Sequence, residues 1–363
     1  MIRVNNIQAN LNVDLAGLKE IVSIKTGLDP EYIRSVKIAK KSVDARNKGN
    51  VHFVYSLDME VWGDEDYIAT ILAWKDIELI KERPVLVIRK QQPGNIRPLV
   101  VGSGPAGMFA GLALAEAGLK PVIIERGKPV DERQKDVSLF WRTGKLKPDS
   151  NVQFGEGGAG TFSDGKLMTG IKKDKYSAKV LQELAAAGAP EEILYLAKPH
   201  IGTDKLRPTV KSIRNEIIRL GGKVMFETKL IGFSAKDNSV TGAEIEHNGA
   251  KQTIDTNAII LAIGHSARDT FEMLNEKAIP IEAKAFSVGA RIEHHREMID
   301  KSQYGKFAGN KALGAASYKT NVHLENGRGV YTFCMCPGGK VVNASSEENR
   351  LCTNGMSEFA RNE

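Results

Sequence analysis

The first 95 residues alternate between strand-like and helix-like patterns of apolar positions. Period-two spacing predicts strands, and apolar residues three and four apart predict helices. The predicted elements are strand Met1–Leu11, helix Leu15–Thr26, strands Tyr32–Ser42 and Val51–Val61, helix Asp66–Leu79 and strand Val85–Arg89. This β-α-β-β-α-β order predicts a small ferredoxin-like α+β domain over residues 1–95. Its last residues, Gln91–Asn95, predict a linker because Pro and Gly break both patterns.

Residues 96–280 predict a second domain in which buried strands alternate with helices. Strand Pro98–Val101, helix Met108–Gly118 and strand Pro121–Glu125 form one compact βαβ unit. A polar stretch without a predicted element then leads to the glycine run Gly155–Gly165. The pattern further on predicts helices Ser177–Ala187 and Val210–Leu220, an antiparallel meander of Lys223–Phe233, Val240–His247 and Lys251–Ile254, and a parallel strand Ala258–Ile263.

Composition places the chain among ordinary globular proteins. Its 363 residues are 42% hydrophobic and 26% charged, and its net charge of +7 favours anionic ligands without indicating nucleic acid. Three cysteines do not form a disulfide framework and are typical of a reducing compartment, so the cytoplasm is expected. We expect neither a signal peptide nor a membrane-spanning segment.

The strongest chemical signal is the turn Gly102-Ser103-Gly104-Pro105-Ala106-Gly107. It follows a strand, opens a helix, and precedes an acidic residue by about 20 positions, which is the dinucleotide-binding pattern. Gly102 permits the tight turn, Gly104 lets a pyrophosphate approach the backbone, and Gly107 lets helix and strand pack closely. The helix N-terminus then offers N–H groups to the phosphates. Glu125 is expected to accept hydrogen bonds from the ribose hydroxyls.

Arg126 directly follows Glu125 and is a candidate phosphate ligand. A carboxylate at position 125 disfavours a ribose that carries a 2′-phosphate, because the two anions would repel each other. The glycine run Gly155–Gly165 offers successive backbone N–H groups that can converge on an anion. Thr161 and Ser163 add hydroxyl groups to that run, and Lys166 adds a charge.

The wider arrangement resembles the large FAD superfamily that includes glutathione reductase and p-hydroxybenzoate hydroxylase. The strings Gly155–Leu167, Lys198–Asp204, Phe286–Gly289, Arg291–His294 and Phe333–Gly339 resemble a bacterial family of FAD-dependent dehydrogenases of unassigned substrate. The resemblance runs over the whole chain. It implies an α/β fold, with a FAD/NAD(P)-binding Rossmann-like domain that contains the inserted meander. It also implies that Arg133, Gly157, Gly158, Leu230 and Gly264 contact FAD.

The resemblance also implies that residues 281–363 form part of a substrate domain that faces the flavin. Phe286–Ile292 predicts a strand of that domain, and Arg291 is a candidate contact to substrate or flavin. Cys334–Cys336 predicts a second strand, on which both thiols share one face. Cys336 is a catalytic candidate, and the alternative is that both cysteines are small buried residues of a core strand. His200 is a candidate acid or base. No metal site is expected, since the adjacent His294 and His295 would point in opposite directions.

Several functional alternatives remain open. The leading prediction is an FAD-dependent oxidoreductase that acts on a small molecule, with NAD(P)H as a candidate electron donor. Basic residues of the predicted strand Tyr32–Ser42 would instead suit an FAD-dependent protein that modifies or binds RNA. The third hypothesis is an NAD dehydrogenase. The superfamily closes its fold with a late strand and a glycine-led helix, which have no counterpart after Gly339, so we expect incomplete flavin retention.

Overall fold

The structure is a computed structural model that describes residues 1–63, 65–80, 86–92, 94–168 and 175–362. Its N-terminal part contains a four-stranded antiparallel sheet in the order β2-β3-β1-β4. The elements are β1 (Ile2–Ala9), α1 (Leu15–Thr26), β2 (Ile33–Asp44), β3 (His52–Val61), α2 (Glu65–Leu72) and β4 (Ile77–Leu79). This is the element order that the apolar pattern predicts.

Local sequence explains these elements. Asp14 begins α1 by accepting a hydrogen bond from Gly17 N at 2.9 Å, and Gly27 ends it in the left-handed conformation. Alternate residues of β3 are buried, as expected for a half-covered strand. The core beneath this sheet also contains side chains from far along the chain, namely Tyr304, Leu313 and Ala316.

The predicted end of this region was wrong in two places. The second helix ends at Leu72 rather than Leu79, and Ile77–Leu79 instead pairs with the free edge of β1. Asp76 fixes this change of direction, because its carbonyl accepts from Asn5 N at 2.8 Å and its carboxylate pairs with Lys25. Residues 86–89, predicted as a strand, are irregular; Val85, together with Pro93 of the predicted linker, lies outside the described residues.

The second region is built on a parallel sheet in the order β11-β5-β6-β7. Helices and an antiparallel meander of β8, β9 and β10 surround it. The elements are β5 (Leu99–Val101), α3 (Pro105–Glu116), β6 (Val122–Ile124), α4 (Val130–Thr143), α5 (Lys175–Ala186), α6 (Thr203–Arg219), β7 (Lys223–Met225), β8 (Thr228–Lys236), β9 (Ser239–His247), β10 (Ala250–Asp255), β11 (Ile259–Leu261) and α7 (Arg268–Glu276).

Three elements of this region differ from the prediction. Helix α4 occupies the stretch that had no predicted element, because its buried Arg133 and Asp136 interrupt the apolar pattern. The predicted strand Lys223–Phe233 is two strands: β7 joins the parallel sheet, and Glu227, with φ of 48°, turns the chain into the meander. Helix α6 begins seven residues before its predicted start and contains Pro208.

The last region contains α8 (Arg296–Tyr304), the hairpin of β12 (Asn321–His323) and β13 (Gly329–Tyr331), and the hairpin of β14 (Lys340–Asn343) and β15 (Thr353–Met356). The predicted strand Phe286–Ile292 is wrong: this segment is irregular, with Phe286 85% and Val288 86% exposed. The strand predicted over Cys334–Cys336 is also wrong, because Cys334 adopts a φ of 51° that ends extended structure. Within the described ranges, no helix is both long and apolar enough to cross a membrane.

Candidate functional site

A cavity of about 580 Å³ opens at the carboxyl ends of β11, β5 and β6. In open parallel sheets this edge is where ligands bind. The wall combines the glycine turn, the end of β6, part of the second glycine run, the start of β8 and the segment after β11. Of the predicted cofactor residues, the cavity is lined by Gly102, Gly104, Pro105, Ala106, Glu125, Arg126, Gly158, Leu230 and Gly264.

The glycine turn holds the start of α3 against the end of β5. A Cβ on Gly107 would lie 1.8 Å from the carbonyl oxygen of Gly102, so any larger residue would separate helix and strand. The first helical hydrogen bond runs from Met108 N to Gly104 O at 2.9 Å. N–H groups before it lack an intrahelical acceptor, and with the helix dipole they favour an anion in the cavity.

Glu125 connects the two glycine-rich segments. Its side chain is buried, with the residue only 5% exposed. One oxygen accepts from Ser103 N at 2.8 Å and Ser103 Oγ at 3.0 Å, and the other from Gly127 N at 2.9 Å and Gly155 N at 3.0 Å. These four bonds fill the acceptor positions of a carboxylate. A ribose hydroxyl would therefore have to share or displace one of these donors.

Arg133 supports the second glycine run from below rather than lining the cavity. Its fully buried guanidinium donates to the carbonyls of Asn151, Val152 and Glu156 at 2.6–2.9 Å. Burial lowers the pKa of Arg133 to about 10, although Glu125 and Glu156 act in the opposite direction. Arg133 thus sets the path of the backbone that reaches the cavity.

The second glycine run meets the first directly. Gly157 N donates to Ser103 O at 2.9 Å, and Gly158 lies close to Gly104. Gly158 is on the cavity wall, whereas Gly157 lies behind it. Thr161 is fully buried, and its hydroxyl donates to Glu156 O at 3.2 Å, so it stabilises the turn.

Arg126 stands on the cavity wall with its charge compensated. Its Nη2 donates to Asp269 Oδ1 at 2.8 Å, and its guanidinium lies 4.5 Å from the ring centre of Phe154. The same side chain borders a neighbouring cavity of about 390 Å³ that also contains Lys128 and Lys229. Acidic residues, namely Asp149, Glu227 and Glu246, border the same cavity, so its lining carries both signs of charge.

A second polar centre, not predicted from the sequence, surrounds Asp164, which is only 2% exposed. Arg361 binds its two oxygens at 3.0 and 2.6 Å, Lys166 Nζ lies 2.8 Å away, and Ser357 Oγ donates to it. Burial alone would raise the pKa of Asp164, but Arg361 and Lys166 outweigh it and lower the pKa to about 2. We call Asp164, Lys166, Ser357 and Arg361 the Asp164 centre.

His200 lies beside the Asp164 centre. Its Nε2 donates to the carbonyl of Phe359 at 3.0 Å, and the two rings stack with centres 5.4 Å apart. Burial and the charge of Arg361 lower the pKa of His200. Its side chain is therefore neutral at physiological pH.

Cys336 is half-buried near the same centre. Burial, followed by the charge of Asp164, raises its pKa, which disfavours a reactive thiolate. Arg291 donates to Cys334 O at 3.3 Å and to Asn354 Oδ1 at 3.2 Å. The three weak catalytic candidates His200, Arg291 and Cys336 thus lie around the C-terminal segment, outside the wall of the 580 Å³ cavity.

Sequence reasoning missed the partners of Asp164. Asp164 and Lys166 are adjacent to the glycine run, which is a local signal, but Ser357 and Arg361 are more than 190 residues away. Among the residues that the structure describes, no group of three or more His, Cys, Asp and Glu side chains could hold a metal ion.

Three family models match parts of the chain. Residues 97–146 match an FAD binding domain, residues 285–363 match an FAD-dependent protein C-terminal domain-like family, and residues 1–60 match a domain of unknown function. Among solved structures, THI4 of Thermovibrio ammonificans is 15% identical with a TM-score of 0.35, covering 51% of this chain and 63% of that one. The glycerol-3-phosphate dehydrogenase of Bacillus halodurans, solved with FAD, is 14% identical with a TM-score of 0.32, covering 49% and 36%.

One curated relative is similar over nearly the whole of this chain. An uncharacterized protein of Clostridium beijerinckii is 46% identical over 362 residues, which is 99% of this chain and 67% of that protein. This chain spans about two thirds of the length of that relative and less of the solved structures. The chain therefore belongs to the same family as the Clostridium beijerinckii protein, and it carries segments that match an FAD binding domain and an FAD-dependent protein C-terminal domain-like family.

Proposed function

We propose that this chain binds the ADP half of FAD in the 580 Å³ cavity and oxidises or reduces a small molecule through the flavin. One observation carries the proposal: the glycine turn, the start of α3 and Gly158 converge on one wall at the carboxyl edge of the parallel sheet. When bound, FAD supplies hydride and electron chemistry at its ring. The protein contributes binding and orientation.

The residues of the cavity fit an ADP group. Free N–H groups at the start of α3 suit the pyrophosphate, and Gly104 and Gly158 leave the backbone accessible to it. Leu230 is buried on the wall and offers an apolar surface to adenine. Arg126 lies at the same wall, where Asp269 holds its guanidinium in place. Glu125 holds both turns and is our candidate for the ribose contact.

The remaining predicted site residues act indirectly in this proposal. Ser103 and Gly107 shape the first turn, while Arg133, Gly157 and Thr161 shape the second. A nicotinamide nucleotide, NADH or NADPH, is the proposed electron partner. Anaerobic addition of each to FAD-loaded protein, followed by loss of flavin absorbance, distinguishes the two and separates this function from that of an NAD dehydrogenase.

We further propose three domains, 1–95, 96–280 and 281–363, with a ferredoxin-like class for the first. The sheet order β2-β3-β1-β4 and the two helices support that class. The shared core with Tyr304 ties the first domain to the last. A cytoplasmic location is proposed from the sparse cysteines, all three of which are free.

The RNA-binding alternative gains no support from β2. Arg34 faces Glu60 at 3.8 Å, and Lys41 packs over the ring of Phe53 at 4.1 Å. The backbone of Lys41 also pairs with Tyr195 and Ala197, which covers part of this edge. Arg34 and Lys41 thus already have partners within the protein.

Gly104→Ala tests the ADP site. A Cβ at Gly104 would meet only Gly158 Cα, at 3.8 Å, so the protein tolerates it while the phosphate approach is obstructed. We expect ADP affinity, measured by titration calorimetry, to fall at least about tenfold, or about 1.4 kcal/mol, with little change in melting temperature. Gly289→Ala, at an exposed position with open space around it, is the control. Equal ADP affinity in Gly104→Ala and wild type would contradict the proposed site.

A further inference from the structure

Two buried polar atoms, one in the Asp164 centre and one beside it, have hydrogen-bonding capacity that no described residue uses. They are Nδ1 of His200 and Nζ of Lys166. Lys166 Nζ forms an ion pair with Asp164 Oδ2 at 2.8 Å, but this contact cannot use all three of its N–H groups. Buried polar groups are rarely left unsatisfied, because each such loss costs about 1–3 kcal/mol.

The two side chains start from one place. Lys166 and His200 form an isolated antiparallel bridge, supported by bonds from Leu167 N to Pro199 O at 3.0 Å and from Ile201 N to Gly165 O at 3.1 Å. Directly paired residues of antiparallel strands have their Cβ atoms about 5 Å apart on the same face. The Lys166 side chain is 22% exposed, so the pair lies just beneath the surface.

The donor and acceptor character of Lys166 Nζ and His200 Nδ1 indicates which chemical group they can bind together. A carbonyl can only accept, so Nε2 of His200 carries the proton that it donates to Phe359 O, and Nδ1 of the neutral ring is an acceptor. The ammonium of Lys166 can only donate. A hydroxyl group satisfies both at once, because it donates one hydrogen bond and accepts another. A carboxylate would satisfy only Lys166, and an ammonium only His200.

The surrounding charges keep His200 ready to accept a proton. Burial and Arg361 lower its pKa, the hydrogen bond to Phe359 and the charge of Asp164 raise it, and Lys166 lowers it further. Asp164, Lys166 and Arg361 are the charged groups that act on the ring, and their balance favours the neutral form at pH 7.

We propose that Lys166 and His200 form a hydroxyl-binding subsite, and that the substrate of this oxidoreductase is a hydroxyl-bearing small molecule. This inference rests on the proposed function. In the oxidation of a secondary alcohol, the O–H and C–H bonds break and a C=O bond forms. Nδ1 of His200 would accept the hydroxyl proton, and FAD, when bound, would supply the oxidising chemistry that takes up the hydride. Lys166 stabilises the negative charge that develops on the oxygen.

Nitrogen-15 NMR of the histidine-labelled protein tests the subsite without turnover. The His200 signal is assigned by its loss in His200→Gln, with His323→Gln, on the exposed strand β12, as control. We expect an Nε2–H tautomer at pH 7. Lys166→Met should raise the pKa of His200 because it removes a neighbouring positive charge, whereas Lys166→Arg should keep it low. Lys145→Met, at an exposed position, should leave it unchanged.

The ligand class is tested in the same spectrum. Propan-2-ol at high concentration should shift the Nδ1 signal, and its methyl ether, which cannot donate, should not. A proton on Nδ1, or the same response to both compounds, overturns the subsite. In FAD-loaded protein, His200→Gln should slow flavin reduction by a hydroxyl substrate at least about 100-fold. Failure of the ADP site is read separately, by calorimetry with ADP, so the two proposals can fail independently.

Discussion

Two buried carboxylates organise this chain with different kinds of partner. Glu125 accepts four hydrogen bonds from uncharged donors, all within 30 residues of it. Asp164 is bound by the cations Arg361 and Lys166 and by Ser357, and two of these lie more than 190 residues away. Glu125 therefore fixes the shape of one cavity, whereas Asp164 joins distant segments by charge compensation.

The two carboxylates also differ in whether the polar groups around them have all their hydrogen bonds. Every acceptor position of Glu125 is used, so this centre serves as a rigid frame for the glycine turns. Next to Asp164, His200 Nδ1 has no hydrogen-bond partner within the described part of the chain, and Lys166 Nζ has only its ion pair with Asp164. Hydrogen-bonding groups therefore remain available for a ligand beside the charged Asp164, whereas those of Glu125 are already used by uncharged donors.

Breaking the Glu125 frame should have the largest effect. Glu125→Gln places an amide NH₂ against backbone N–H donors, leaving about two buried donors unsatisfied. We expect the free energy of unfolding to fall by about 4 kcal/mol, measured by urea denaturation. Glu276→Gln, exposed at the end of α7, is the control. A loss below about 1 kcal/mol would mean that Glu125 does not hold the two turns together.

A steric change at the other centre should have the next largest effect. A Cβ on Gly202, whose φ is 78°, would lie 2.1 Å from Phe359 N, so Gly202→Ala must displace the segment that carries Arg361. We expect a loss of about 3 kcal/mol, from overpacking and from a backbone conformation, with ψ of 150°, that essentially only glycine adopts. Gly144→Ala, at φ of 73° and ψ of −1°, has only left-handed strain and open space, so it should lose only about 1 kcal/mol. Equal losses in urea denaturation would show that the segment is not packed against Gly202.

The charge of Asp164 should give a smaller effect that depends on pH. Its pKa is lowered to about 2 in the folded protein, so the unfolded chain takes up the proton first. The stabilisation is complete above the unfolded pKa, near 4, and is lost as pH falls through about 2. Wild type should therefore lose about 2 kcal/mol more than Asp164→Asn between pH 5 and pH 2, measured from urea midpoints. Parallel curves for the two proteins would be inconsistent with this ion pair; Asp255→Asn, at an exposed position, is the control.

Features encoded within a few residues could be predicted from the sequence. The glycine turn, α3 and Glu125 follow one another in about 25 positions, and the structure gathers most of them on one cavity wall. Helix α4 was not predicted because Arg133 and Asp136 are buried on its inner face. A pattern of apolar positions counts such charged residues as exposed, although Arg133 is buried and donates to backbone carbonyls. The strand ending at Leu79 was missed because its edge position depends on β1, which lies over 70 residues earlier.

The Asp164 centre could not be predicted because it, too, depends on residues that are distant in sequence. Nothing near Arg361 indicates a partner at position 164, since the contact exists only after the chain has folded. Phe286–Ile292 shows the converse: its alternating apolar pattern is that of a strand, but strand formation requires a neighbouring edge, and the structure provides none in the described residues.

The core beneath the N-terminal sheet can be completed only late in synthesis of the chain. Tyr304, Leu313 and Ala316 belong to that core, yet Tyr304 follows β4 by about 225 residues. At about 5–20 residues per second, a ribosome needs roughly 10 to 45 seconds to make the intervening chain. During that interval the newly made sheet is complete in hydrogen bonds but incomplete in packing. The nascent chain must therefore remain free of aggregation, alone or with a chaperone, until its last third emerges.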